Sequence, residues 1–166
     1  MTTISFKGAP VHTGGSVPRI GAEAPDFILT DVELNDLSLK GLRGKKVILS
    51  INPSLDTSVC SLVLKKFNEE AKKHPEIFIA FVSADLPFAQ KRLCIQEDLH
   101  NAKTLSTFRS KEFARDYGVE LVDGPLKGLT ARACIAIDEQ GKVLYAELVG
   151  EITKEPDYTK ALKACL

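Results

Sequence analysis

No charge of one sign dominates this chain. Lys plus Arg and Asp plus Glu each number 22, so the formal net charge over 166 residues is zero. A nucleic-acid binder needs a broad basic footprint and a peripheral anchor a polybasic patch; the balance argues against both nucleic acid and membrane as partners. No apolar run approaches the ~20 residues that cross a bilayer. The opening MTTISFKGAPVHTGG lacks a basic start followed by an apolar stretch of roughly 7–15 residues, the mark of a secretory signal, so a reducing, cytoplasmic setting is expected. There is no repeat at periods of roughly 20–50 residues and no low-complexity tract. No CxxC pair occurs, and none of His12, His74 and His100 stands at ligand spacing from a cysteine, which argues against structural zinc. The same scatter leaves no Cys–His pair for a cysteine hydrolase. The loop Gly124-Pro125-Leu126-Lys127-Gly128 does not match a phosphate loop.

What is present reads as one domain, residues 1–166, with ordinary hydrophobic (44%) and charged (27%) shares. Residues 1–45 are short extended pieces broken by turns. Ile4 to Lys7 and Pro10 to Thr13 suit a hairpin around Gly8-Ala9-Pro10, and Asp26 to Thr30 another short strand. Lys46 to Ile51 is an apolar strand. Val59, Leu62, Val63 and Phe67 then recur at helical spacing as far as His74-Pro75. Ile77 to Val82 is a second apolar strand, and strand, helix, strand predicts a right-handed parallel βαβ unit. Asp85 and Pro87 mark a helix to about Glu97, Thr104 to Thr107 a strand, and Lys111 to Tyr117 a helix closed by Gly118. Ala131 to Asp138 and Val143 to Leu148 form a hairpin through Glu139-Gln140-Gly141, and Pro156 to Leu166 a last helix. Lys65-Lys66 with Glu69-Glu70 reads as a solvated helix face carrying opposite charges four apart. The fold class expected is α/β: a thioredoxin-like fold, a central mixed β-sheet flanked by helices, with an N-terminal β-hairpin extension.

Four cysteines remain: Cys60, Cys94, Cys134 and Cys165. In a reducing compartment, cysteines that matter are usually catalytic, redox-active or metal-binding. Cys60 follows Asp56, Thr57 and Ser58, all good N-cap residues, so it falls in the first turn of its helix. Unpaired N–H groups and the helix dipole favour negative charge there. Cysteines so placed can have their pKa lowered from about 8.5 to ~3.5–7.5. The alternative is a small apolar residue on a buried helix face. Cys94 stands between Leu93 and Ile95 and could equally be a core helix position. Arg132 could be a solvated surface charge. Cys134 lies two residues after Arg132 on a strand, hence on the same face, and reads chiefly as a buried small residue. Cys165 reads as a packing residue or an incidental thiol.

PSLDTSVC (Pro53 to Cys60) resembles the active-site motif of the thiol peroxidases, a group of atypical two-cysteine peroxiredoxins. SADLPFAQKRLC, Ser83 to Cys94, resembles that group's resolving-cysteine helix. TLSTFRSKEFARDYGV and DGPLKGLTARACIAID are similar to further segments, so the likeness spans nearly the whole chain. The resemblance implies Cys60 as peroxidatic nucleophile and Cys94 as resolving cysteine. It implies Thr57 as hydrogen-bond partner of the sulfur and the peroxide, Pro53 as a shield against water, and Arg132 as the cation near the sulfur. It also implies an antioxidant enzyme acting on hydrogen peroxide and organic hydroperoxides, recycled by thioredoxin and homodimeric, with no metal, haem, flavin or selenium cofactor. Cys134 and Cys165 exceed the two-cysteine pattern and leave other disulfides open. A disulfide needs Cα atoms roughly 4.4–6.8 Å apart; cysteines on separate helices call for local unwinding before one forms. A redox sensor or binding protein of the same fold, without efficient turnover, is the second reading.

Overall fold

In the computed structural model, which describes residues 1–166, the N-terminal pieces pair as expected. β1 (Thr2–Phe6) runs antiparallel to β2 (Ala9–Thr13), with Ile4 opposite Val11. The turn is tighter than Gly8-Ala9-Pro10: it is Lys7-Gly8, with φ of 52° and 82°. A two-residue hairpin of the right twist needs left-handed backbone at both positions; Gly8 adopts it freely and Lys7 bears the strain.

The main sheet is built around three parallel strands: β5 (Lys46–Ile51), β6 (Ile77–Ser83) and β7 (Lys103–Ser106). β8 (Ala133–Ile137) lies antiparallel beside β5, and β9 (Val143–Leu148) antiparallel beside β8. The far edge is a short antiparallel pair, β3 (Ile28–Thr30) and β4 (Asp36–Ser38), giving the order β4-β3-β7-β6-β5-β8-β9. β3 is shorter than the expected strand: the Asp26 carboxylate accepts from the Lys40 N–H and the Pro25 carbonyl from the Tyr117 hydroxyl, contacts that hold the chain before β3 outside the ladder. β4 and the 3-10 turn after it (Lys40–Leu42) were not expected from sequence.

Alternation along β5 divides the core. Val47, Leu49 and Ile51 join Phe27, Phe113 and Tyr117 on one face, which α3 (Glu112–Asp116) and the segment before β5 cover. Ile48 joins Val63, Leu64 and Phe67 of α1 (Ser58–Lys73) and Ala161 and Leu162 of α4 (Tyr158–Cys165) on the other. Strands covered on both sides read as continuous apolar runs, as β5 and β6 do. Each fully buried Leu, Ile or Phe adds about 1.5–3 kcal/mol. Phe67→Ala, which also removes a ring 4.9 Å from that of Tyr158, would cost about 3–5 kcal/mol. α2 (Pro87–Gln96) is held less firmly: it buries only Pro87 and Gln90 and exposes Phe88 and Ile95. Lys65 and Lys66 reach Glu97 (3.1 Å) and Glu155 (2.8 Å), not the acids of their own helix.

A smaller cluster, Ile4, Val11, Leu121, Ala131 and Ile152, clamps the hairpin to the body. Ser5 exchanges backbone hydrogen bonds with Gly150 and Ile152, and Glu151 accepts from the Lys7 N–H at 2.7 Å. No helix is long and apolar enough to cross a membrane.

Candidate active site

β5 ends at Ile51, and the chain turns through Asn52-Pro53-Ser54-Leu55-Asp56 into α1. Of the three capping candidates Thr57 takes the position: its backbone is extended (φ −82°, ψ 148°) and its Oγ accepts from the Cys60 N–H at 3.2 Å. Its hydroxyl donates to the Ser54 carbonyl at 3.3 Å. The contact expected between Thr57 and the sulfur is therefore replaced by a cap on the Cys60 backbone. One Oγ lone pair is left over, on a residue that is exposed.

Cys60 is the first-turn residue anticipated, but its exposure is 0%. Arg132, just ahead of β8, points Nη1 at Cys60 Sγ from 3.3 Å. The same nitrogen donates to Asn52 Oδ1 at 2.6 Å, and Nε to the Ile152 carbonyl at 2.9 Å. The surface-charge alternative for Arg132 is thus excluded: the side chain is 2% exposed. Its acceptors are an amide, a carbonyl and the sulfur; none is a carboxylate. A buried cation is costly unless an anion offsets it. Together with the Lys66 hydrogen bond, the Arg132 charge helps hold the Glu155 carboxylate below its ordinary range, but no carboxylate hydrogen-bonds the guanidinium, which touches the Cys60 sulfur instead.

Asn52 was not anticipated. Its Nδ2 donates to both the carbonyl and the Oγ of Ser50, each at 2.9 Å, which turns Oδ1 toward Arg132. The available signal was position: a polar residue continuing an apolar strand must find partners for a buried amide. Pro53 is buried and, with Phe6, Thr57, Val59, Arg132 and Ile152, lines a cavity of about 240 Å³. Arg132 spans from that cavity to the sulfur beside it.

Cys94 is half-buried on α2 and lines a second cavity of about 460 Å³ with Phe78, Leu99 and Thr104. Burial pushes its thiol above the ordinary range, and a hydrogen bond with Thr104 partly opposes the shift. All four cysteines are free thiols, so the arrangement is a reduced one and Cys94 is not joined to Cys60. Cys134 is buried in the same apolar cluster as Cys60, on the face expected for it. Burial, then the Glu147 charge, pushes its thiol far up. Cys165 is buried and pushed up to about 11 by burial, against the lowering effect of Lys46. His12 pairs with Asp123 (2.6 Å) and His100 with Asp98 (2.8 Å), while His74 lies between Glu70 and Glu76.

The Redoxin family pattern matches residues 19–162. A thiol peroxidase of Vibrio cholerae is 43% identical over 160 residues, covering 96% of this chain and 98% of that one. The chain belongs to the Redoxin family. A peroxiredoxin-like protein from Aquifex aeolicus superposes with a TM-score of 0.92 at 38% identity, covering 99% of this chain and 96% of its own. A thiol peroxidase from Chromobacterium violaceum gives 0.89 at 24% identity over 97% and 93%, and so speaks for the fold alone. The thioredoxin-like fold and the kinship with thiol peroxidases inferred from PSLDTSVC and SADLPFAQKRLC are shown, and with them the peroxidase class of enzyme.

Proposed function

We propose that the protein reduces hydrogen peroxide and organic hydroperoxides through Cys60, with Cys94 resolving and thioredoxin as the reductant. The observation that carries this is the 3.3 Å contact between a buried guanidinium, hydrogen-bonded to no carboxylate, and the Cys60 sulfur at a helix start. The thiolate attacks one peroxide oxygen in line. The S–O bond forms as the O–O bond breaks, and the departing oxygen takes a proton to leave as water or an alcohol. Positive charge from Arg132 and the N–H groups of the first turn face the charge that develops; one donor so placed is worth about 2.7–4 kcal/mol. The free lone pair of Thr57 accepts a hydrogen bond from the peroxide. Pro53 and Phe6 keep bulk water out. Because the sulfur is buried, its encounter with peroxide requires a small opening between the hairpin and the start of α1.

The product is a sulfenic acid, which Cys94 resolves: the two sulfurs join, the S–OH bond breaks and water leaves. The cysteines stand on separate helices beside separate cavities, so unwinding near both precedes the bond. Thioredoxin then reduces the disulfide by thiol exchange. A homodimer is part of this reading, and sedimentation tests it.

Peroxide-dependent NADPH loss through thioredoxin and its reductase tests the whole cycle. Cys60→Ser abolishes it. Cys94→Ser consumes one equivalent of peroxide and then stops. Full steady-state activity in Cys60→Ser would sink the proposal. The complete burial of Cys60 favours the second reading, a redox sensor; wild-type oxidation that halts after one equivalent, with reductant present, would select it.

A further inference from the structure

One carboxylate joins the segments that carry the two cysteines. Asp85 lies between β6 and α2. Its Oδ1 accepts from Ser54 Oγ at 2.8 Å, and its Oδ2 from the Leu55 N–H at 2.7 Å and Ser83 Oγ at 2.6 Å. From Ser54 the chain of contacts continues through the Thr57 cap to the Cys60 N–H. On the other side Ser83 Oγ accepts from Gln90 Nε2 at 3.2 Å, and Gln90 also donates to the Leu105 carbonyl at 3.1 Å. Gln90 lies one turn before Cys94 and is one of the two residues α2 buries. Its Oε1 is the one buried side-chain polar atom with no partner, so the hold on α2 is incomplete. Hydrogen bonds to an ionised carboxylate are roughly twice as strong as neutral ones, which makes Asp85 the firmest link in a path that is otherwise hydroxyl and amide.

We propose that Asp85 is a positioning residue that latches both cysteine segments in the peroxide-reactive arrangement, so that they unwind together when it lets go. This rests on the assignment of Cys60 and Cys94 as a resolving pair. Sulfenic acid and thiol condense to a disulfide and water only from the unlatched form, whereas peroxide attack uses the latched one. The latch therefore sets the competition between resolution and a second oxidation of Cys60 to sulfinic acid, which consumes another peroxide and releases water or alcohol.

Asp85→Asn keeps the shape but places an amide nitrogen where at least one of the three donors needs an acceptor. Hydrogen exchange on the reduced, full-length variant should show amides 54–62 and 86–96 speeding up together by about tenfold. Quantified by mass spectrometry at excess peroxide, the sulfinic-to-disulfide ratio on Cys60 should fall several-fold. Val143→Ala, at a buried site on β9, should lower the melting temperature and leave that ratio where it was. Acceleration of one segment alone, or of neither, overturns the latch, as does an unchanged ratio. Should Asp85→Asn fail to fold, Ser54→Ala and Ser83→Ala each cut one side; each must still loosen both segments, and a one-sided response overturns the proposal. Disulfide mapping of the wild type separates the two layers. Coupled exchange without a Cys60–Cys94 bond sustains the coupling and removes the resolving pair; the bond with uncoupled exchange removes only the latch.

Discussion

Replacing Arg132 with methionine isolates the group on which the proposed chemistry turns. The guanidinium touches Cys60 Sγ, Asn52 Oδ1 and the Ile152 carbonyl, all out of solvent. In the proposed attack the negative charge spreads from sulfur onto the departing oxygen, and the donor aimed at it is lost in the variant. By the measure of one oxyanion donor, about 2.7–4 kcal/mol, sulfenic acid formation slows by about 10²–10³. Stability moves far less, because two effects oppose. Two buried acceptors lose their partner at about 1–3 kcal/mol each, while the several kcal/mol needed to desolvate an unpaired cation are recovered. Arg132→Lys keeps a charge but not the planar fork. Its loss should be intermediate, about tenfold, the equivalent of one hydrogen bond. Competition with a haem peroxidase for limiting peroxide measures the bimolecular rate, and thermal unfolding confirms the fold. A folded Arg132→Met protein reacting within about threefold of its parent would refute the reasoning.

Three further outcomes follow from the same geometry. Asn52→Asp sets a carboxylate against the guanidinium in place of an amide at 2.6 Å. That anion competes with the sulfur for the positive charge, so the same competition assay should show a loss of at least about tenfold; an unchanged rate would mean the charge is not shared. Glu151 is held down at about 2 by hydrogen bonds from Ser5 and Thr153 and from the Lys7 and Gly8 N–H groups. A depressed carboxylate stabilises above its unfolded value near 4.5 and loses that contribution as pH falls toward 2. The Phe6 ring resonances should therefore shift across this window in the parent and stay flat in Glu151→Gln; matching profiles would contradict the anchor. Finally, Cys94, Cys134 and Cys165 all have raised thiols. Iodoacetamide at neutral pH should label half-buried Cys94 slowly and the other two more slowly still, by mass mapping, and labelling of Cys134 ahead of Cys94 would contradict this burial order.

The parts of the fold legible in the sequence are those where one local pattern decides. β5 and β6 read as near-continuous apolar runs, Val47–Leu49 and Ile77–Val82, because helices and loops cover both faces of the sheet. The start of α1 was bracketed because few residues can cap a helix. β4 and the 3-10 turn were not legible, since NDLSLKGL mixes polar and apolar residues over too short a span to show a period. Around the site, Cys60 could be placed on its helix, but the burial of its sulfur could not. Apart from the motif resemblance, no local pattern distinguishes an arginine on a strand's outer face from Arg132, whose partners lie 80, 72 and 20 residues away. Asp85 looked like the opening of α2. Its carboxylate instead crosses to Ser54 and Leu55, and Leu86 occupies the cap position with no side-chain bond. Each of these surprises is a contact between distant segments, which local pattern does not encode.

Burial of the sulfur and burial of the guanidinium explain one another. The thiolate proposed at Cys60 is costly to bury under Ile48, Leu55 and Val63 without a cation beside it. A guanidinium alone in the same place would be an uncompensated charge. Together, with Asn52 and the Ile152 carbonyl holding the fork and Thr57 holding the cysteine backbone, each lowers the cost of the other. Oxidation breaks that reciprocity. In the proposed cycle a sulfenic acid or a disulfide carries no charge, so once Cys60 has reacted Arg132 keeps only neutral hydrogen-bond partners, with Glu155 the carboxylate that still feels its charge, and the folded arrangement loses part of what favoured it. In the proposed cycle the loss arrives at the moment when the segment unwinds to meet Cys94. On this account the chemistry itself destabilises the conformation that performed it, and reduction restores the pair that holds the segment closed.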